Sequence, residues 1–300
     1  MGNLLTCLLA WLSARSAGGR VVLRIEDLDT ARCRREYADR LEEDLAVLGL
    51  DWDEGGSAGG PNGPYYQSRR GEWYEAALQK LEALGLVYPC FCTRAQLHAA
   101  SAPHREDGQA VYSGACRGLT VEERARLRRE TGREPALRLR VPEREVAFTD
   151  GRMGEYRENL ARECGDFLLR RSDGLWAYQL AVVVDDAAMG VTEVVRGSDL
   201  LSSTPRQLYL YELLGLPAPR FCHGPLLLAA DGRRLSKRDR DLDLDALLRR
   251  NTPAELIGRL AGLAGLNPGG GPKTPADLLA DFSWERVPKT DLVVPPGFFE

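Results

Sequence analysis

Four short stretches hold the residue types that do chemistry. Cys90-Phe-Cys92, Tyr112 and Cys116 bring three sulfurs and one phenol oxygen into one span. Such a set fills a tetrahedral site of the closed, structural kind, for which zinc is the favoured metal. His98 and His104 are rival fourth ligands, and a group of buried free thiols beside a core tyrosine fits the same spacing. A phenol ligand would have to lose its proton on binding. The second stretch is the basic run Gly232 to Asp239, which contains Arg234, Leu235, Ser236, Lys237 and Arg238. Only four lysines occur, at 80, 237, 273 and 289, against a large arginine excess. A lysine on such a loop is a compact charge suited to transferring phosphates; a solvated basic loop is the plain alternative. The third is Arg24-Ile-Glu-Asp-Leu-Asp29 at a strand's end, where ligands sit in open α/β sheets. Glu26 suits a substrate ammonium, while Asp29 or Thr30 could instead cap the helix that follows. The fourth pairs Tyr178 with Arg196. Arg196 stands at a strand's end before Gly197 and suits a bidentate grip on a carboxylate. Tyr178 would close the same pocket, although each residue also serves for packing or a surface ion pair. Asp185 and Asp186 offer either a Mg²⁺ site or a solvated acidic turn.

The elements that must position these residues follow from periodicity. Residues 3–14 read as a helix and 21–25 as a buried strand. Residues 31–48 read as a helix with Tyr37, Leu41, Leu45 and Leu48 on one face. A Gly-rich loop covers 55–64, and a helix covers 72–84. Ala136 to Val141 alternates like a half-exposed strand. Residues 168–180 read as a hairpin turned at Ser172-Asp173-Gly174. A strand ends at Arg196, and Thr204 to Leu214 is a helix opening on Pro205. The last 60 residues read as helical, broken at 267–272. Strands alternating with helices imply a mostly parallel α/β sheet, split by a cysteine-bearing insertion. The division is 1–88 with 176–230, then 89–175, then 231–300.

The chain has 300 residues, 44% hydrophobic and 28% charged, enough to bury a sizeable core. A net charge of −4 argues against indiscriminate coating of nucleic acid, yet allows a local basic face. The Arg-rich stretch 124–140 either tracks phosphates or forms an exposed helix of alternating charge. Seven cysteines, two of them one residue apart, read as reduced cytoplasmic thiols. The apolar run Leu4 to Leu12 is too short to span a bilayer, and no signal peptide or membrane helix is expected.

Arg24 to Arg32 (RIEDLDTAR), the CxC…YxxxC set, the run Asp173 to Leu201 and the Arg-Leu-Ser-Lys of the basic loop occur in the order found in one family. Over about residues 1 to 245 the chain resembles the class I glutamyl-tRNA synthetase group, and most closely its short members, which act on queuosine in tRNA(Asp). The resemblance implies a Rossmann-type class I catalytic domain with a zinc-bearing insertion and a C-terminal helical segment. It implies activation of L-glutamate with ATP and Mg²⁺, without tRNA, and transfer to queuosine in the anticodon of tRNA(Asp) by a cytoplasmic monomer. By motif, Glu26, Tyr178 and Arg196 look like the glutamate site, and Cys90, Cys92, Tyr112 and Cys116 look like ligands of structural Zn²⁺. Residues Arg234 to Arg238 match the family's mobile ATP loop, with Lys237 catalytic. Gly2 and Asn3 match the end of the ATP signature at a helix N-terminus. The family's preceding strand, Pro-Ser-Pro turn and signature histidine are absent, so the expectation is an N-terminally truncated chain. It would lack a central strand, expose two sheet edges, and be poorly stable and inactive. Three other readings stay open: a synthetase charging a tRNA 3′ end, a non-catalytic RNA-binding module, and a nucleotidyltransferase for another acid.

Overall fold

A computed structural model of the chain describes residues 1–93, 95–96, 111–233, 235 and 244–299. The first helix, α1 (Gly2–Ser16), turns Leu5, Leu8, Leu9 and Leu12 inward at helical spacing. The chain then enters β1 (Val22–Leu23), which pairs in parallel with β2 (Glu54–Gly55) across α2 (Arg35–Val47). After α3 (Gly71–Ala83), β3 (Val87–Cys90), β4 (Ala136–Leu139) and β7 (Phe167–Arg170) form an antiparallel sheet in the order β3-β4-β7. Between them lie α4 (Val121–Thr131) and the hairpin of β5 (Glu145–Asp150) with β6 (Gly154–Asn159). Helix α5 (Tyr178–Ala188) leads to β8 (Glu193–Gly197), α6 (Thr204–Leu214) and β9 (Arg220–Gly224). β8 and β9 are parallel, with Arg196 opposite His223. A last parallel pair joins β10 (Leu227–Leu228) to β11 (Leu292–Val293). Helices α7 (Leu244–Leu248) and α8 (Pro253–Leu263) lie between those two strands.

The class is α/β, as expected, but the single mostly parallel sheet is replaced by short sheets. Among the described residues β1 bonds only to β2, and β8 only to β9. Helix α1 packs against β8. Two main cores result. One gathers α1 with Leu256, Ile257 and Leu260 of α8 and with Val287 and Phe299. The other joins Tyr74, Leu78 and Leu81 of α3 to the inner faces of α5, α6, β4 and β7. The strands of the cysteine-bearing insertion therefore share a core with catalytic-domain helices.

Several local expectations change. The last 60 residues are mostly loop and short turns, with Pro253–Leu263 their longest helix among the described residues. They brace α1, because the apolar face of α1 needs cover and their Leu, Ile and Phe side chains supply it. Strand β7 returns only as far as a bridge between Arg170 and Trp176, since α5 starts at Tyr178. Helix α2 starts at Arg35 without a side-chain cap, and the Asp29 carboxylate instead pairs with Arg32 and Arg171. Only the C-terminal half of its expected apolar stripe is covered: Leu45 and Leu48 are buried, while Tyr37 and Leu41 are exposed.

Candidate active site and metal centre

Three sequence-predicted residues meet beyond the ends of β1 and β8. Glu26 follows β1, Arg196 is the penultimate residue of β8, and Tyr178 opens α5. Tyr178 interacts electrostatically with both Glu26 and Arg196, and with Arg24 and Asp186. Burial, reinforced by the Glu26 charge, pushes the Tyr178 phenol up to about 12, so it stays protonated at neutral pH. Arg196 is 7% exposed. Burial lowers its pKa from the usual arginine value, against attraction from its neighbours. An arginine remains charged even so.

Arg24 was not singled out, yet it ties the cluster together. Its guanidinium donates to Glu26 Oε1 at 3.0 Å and to Asp186 Oδ1 at 2.6 Å. The signal was available, because Arg24 opens the same quoted motif as Glu26. Asp185 and Asp186 are not a solvated turn, and Mg²⁺ has no opening at Asp185. Asp185 lies on α5, fully buried, and accepts from Gln67 at 2.8 Å, Arg70 at 2.5 Å and Tyr74 at 2.8 Å. All these donors compete with any cation for its lone pairs. Asp186 is buried against Arg24, and its desolvation raises its pKa.

Gly197 shows why Arg196 is followed by glycine. A Cβ there would stand 2.6 Å from Asp199 Oδ1 and 2.8 Å from Leu226 Cδ2. The chain must pass close to both just as it leaves β8.

Gly2 and Asn3 form the first turn of α1, as the sequence suggests. Of the basic loop, Leu235 is described; its N–H donates to Leu227 O at 3.2 Å and its side chain packs on the α1 core. Arg234, Ser236, Lys237 and Arg238 lie outside the described residues, as do His98 and His104.

The cysteine set comes together. The sulfurs of Cys90, Cys92 and Cys116 all lie within 4.8 Å of one another. Cys92 Sγ is 3.6 Å from Cys116 Sγ, and the Tyr112 hydroxyl is 3.4 Å from Cys90 Sγ and 3.8 Å from Cys92 Sγ. Tetrahedral zinc–thiolate geometry places ligand sulfurs roughly 3.7 Å apart, so these spacings fit the metal. Burial and the neighbouring Cys90 push the Cys92 thiol up to about 12. Cys90 is also desolvated, but its bond with Tyr112 and the nearby Arg138 outweigh that and lower its pKa. The Arg138 guanidinium stacks 3.9 Å from the Tyr112 ring centroid. Asp166 braces the cluster from behind, accepting from Tyr88, Arg117 and the Val141 N–H.

The comparisons with known proteins agree with this geometry. Residues 1–274 match the family described as tRNA synthetases class I (E and Q), catalytic domain. The chain belongs to that class I synthetase family. It is similar to proteins named Glutamyl-Q tRNA(Asp) synthetase. The one from Nitratidesulfovibrio vulgaris is 53% identical over 100% of this chain and 93% of its own length. The one from Symbiobacterium thermophilum is 52% identical over 98% and 92%. A Glutamate--tRNA ligase from Heliobacterium modesticaldum is 40% identical over 98% of this chain, but only 60% of its own length is matched. Among solved structures, the glutamate-tRNA synthetase of Elizabethkingia anophelis superposes with a TM-score of 0.83 at 27% identity. That match covers 99% of this chain and 66% of the longer protein. This chain is thus a class I synthetase-family ligase, as its motifs implied. No described helix is long and apolar enough to cross a membrane.

Proposed function

We propose that this chain, against the expectation of an inactive one, activates L-glutamate with ATP, independently of tRNA, and transfers it to queuosine in the anticodon of tRNA(Asp). The observation that carries the reading is the meeting of Glu26, Tyr178 and Arg196 beyond the ends of β1 and β8. An amino acid with two carboxylates presents one ammonium and two anions. Glu26 matches the ammonium, Arg196 matches a carboxylate, and the protonated Tyr178 phenol donates beside it. In the reaction the glutamate α-carboxylate attacks the ATP α-phosphorus and pyrophosphate leaves. Holding the carboxylate in line supplies the orientation part of the rate. Gly2 and Asn3 sit at a helix N-terminus that favours phosphate, and Lys237 in the basic run 234–238 is assigned to the leaving phosphates. Mg²⁺, bound with ATP, would neutralise the phosphates. Cys90, Cys92, Cys116 and Tyr112 would hold a structural Zn²⁺. Work on tRNA places the protein in the cytoplasm, and we assign it as a monomer.

Glutamate-dependent exchange of pyrophosphate into ATP, measured without tRNA, tests the first step. Arg196→Ala should lower kcat/KM for glutamate by about 100-fold, the scale of losing a buried charged contact. Labelled glutamate should then pass to tRNA(Asp) only when queuosine is present. Transfer to tRNA lacking queuosine, or to a 3′ end, would replace this reading with charging of the acceptor stem.

A further inference from the structure

Arg196 is held from behind by a buried chain of side chains that no substrate would touch. In the β8–β9 register Arg196 lies directly opposite His223. Arg196 Nε donates to His223 Nε2 at 3.0 Å, and Arg196 Nη2 donates to Thr204 Oγ1 at 2.8 Å. The Thr204 hydroxyl is itself 3.4 Å from His223 Nε2. On the far side of the imidazole, His223 Nδ1 is 2.6 Å from Asp150 Oδ2. Asp150 Oδ1 is fixed by the N–H groups of Arg152 at 2.9 Å, Met153 at 2.8 Å and His223 at 3.2 Å. His223 and Thr204 are fully buried, and Asp150 is 2% exposed.

The protons in this chain can be assigned. An ionised Asp150 only accepts, so the Nδ1 proton of His223 points at it. Both Arg196 Nε and Thr204 aim at Nε2, and Arg196 always donates, so Nε2 must be bare. His223 is therefore neutral with its proton on Nδ1. The bonds to His223 and Thr204 occupy the Nε–Nη2 edge of the guanidinium, and Nη2 also donates to the Leu200 carbonyl at 3.4 Å. Nη1 is the donor left for a carboxylate.

We propose that Asp150 and His223 are positioning residues for glutamate: Asp150 selects the Nδ1–H tautomer of His223, whose bare Nε2 fixes the plane of the Arg196 guanidinium. This rests on Arg196 as the glutamate clamp. The acidic residue acts on the substrate through two relays and touches nothing that reacts. The charged groups facing His223 are Asp150 from β5 and Arg196 from β8, and the uncharged Thr204 faces it from α6. Depressed basicity of the imidazole, caused first by its burial and also by the Arg196 charge, agrees with the neutral form.

The test uses the full 300-residue chain and two readouts that need no turnover. The first is the tautomer of His223, read from imidazole nitrogen shifts in ¹⁵N-histidine-labelled protein. Only three histidines are present, and His223→Gln identifies the signal. Wild type should show a protonated Nδ1 and a bare Nε2. In Asp150→Asn the three backbone donors keep the amide oxygen, so the NH₂ group faces Nδ1 and the proton should move to Nε2. The second readout is the calorimetric Kd for L-glutamate, with the Kd for ATP as control. Asp150→Asn and His223→Leu should weaken glutamate by about tenfold, the scale of one lost hydrogen bond to a charged group, and leave ATP unchanged. His223→Gln, whose amide oxygen can accept from Arg196, should recover most of the loss. A protonated Nε2 in wild type overturns the proposal. So does a wild-type glutamate Kd in folded Asp150→Asn. If His223→Leu does not fold, the wild-type tautomer and the Asp150→Asn pair decide alone. Arg196→Ala separates the two levels: an unchanged glutamate Kd there removes the clamp reading, whereas a weakened one with normal Asp150→Asn removes only the relay.

Discussion

At the scale of single residues, burial decides what each charge does. Asp185 and Asp186 are adjacent acids, and from sequence they look like a surface turn or a cation site. The helix α5 carries both inward, where Arg70 and Arg24 neutralise them. Arg70 is 1% exposed and depends on Asp185. Asp185→Ala should therefore cost about 3–5 kcal/mol, the penalty for leaving a buried charge unpaired. Urea unfolding of the variant checks this. His223 makes a pH prediction. Its folded pKa lies below the ordinary 6.5, chiefly through burial. The unfolded chain then binds more protons in that window, so stability rises with pH through it. The contribution is complete above about pH 6.5 and is lost as pH falls through the folded pKa. The midpoint of urea unfolding should drop as pH falls below about 6.5, and His223→Gln should flatten that limb. A limb at lower pH belongs to Asp150, whose pKa is also lowered because the bonds from His223 and the 152–153 amides outweigh its desolvation.

At the scale of elements, Pro205 stands at its helix start as its sequence signal implies. The Thr120 and Thr252 capping boxes, and Gly132 and Gly215 after their helices, are end signals that were not singled out from the sequence. The final 60 residues were misread because apolar content alone does not separate a helix from a loop pressed onto a core. Gly258 marks that pressure. A Cβ there would lie 2.0 Å from the Gly271 carbonyl oxygen, on the loop that folds back over α8. Gly258→Ala should destabilise by about 1–3 kcal/mol despite its better helix propensity, because backbone must move. Thermal unfolding measures it. The cysteine set was legible from spacing, because β3 presents Cys90 and the bridge of Tyr112 to Gly165 returns the phenol to it. Purified protein should carry one zinc per chain by elemental analysis. Cys116→Ser, or a strong chelator, should release it and lower the melting temperature.

At the scale of the whole molecule, the C-terminal segment is part of the fold. Asn251 donates to Phe299 O at 2.9 Å, and Leu260 is fully buried against the α1 cluster. Leu260→Ala should cost about 2–5 kcal/mol, and deletion of 253–300 should yield a chain without a cooperative transition. Near-ultraviolet circular dichroism on heating reads both. The cluster of Glu26, Tyr178 and Arg196 was legible because each lies in a motif whose residues are contiguous: Glu26 in one, Tyr178 and Arg196 in another. The sequence by itself determined most of the helices before residue 240, the clustering of the three cysteines and the family, since these depend on spacing within short segments. Only the tertiary structure decided that Asp150 and His223 stand behind Arg196 and that the C-terminal loops cover α1. Those partners are far apart along the chain, and hydrogen bonds and packing across such distances leave no periodic trace in the residues that make them.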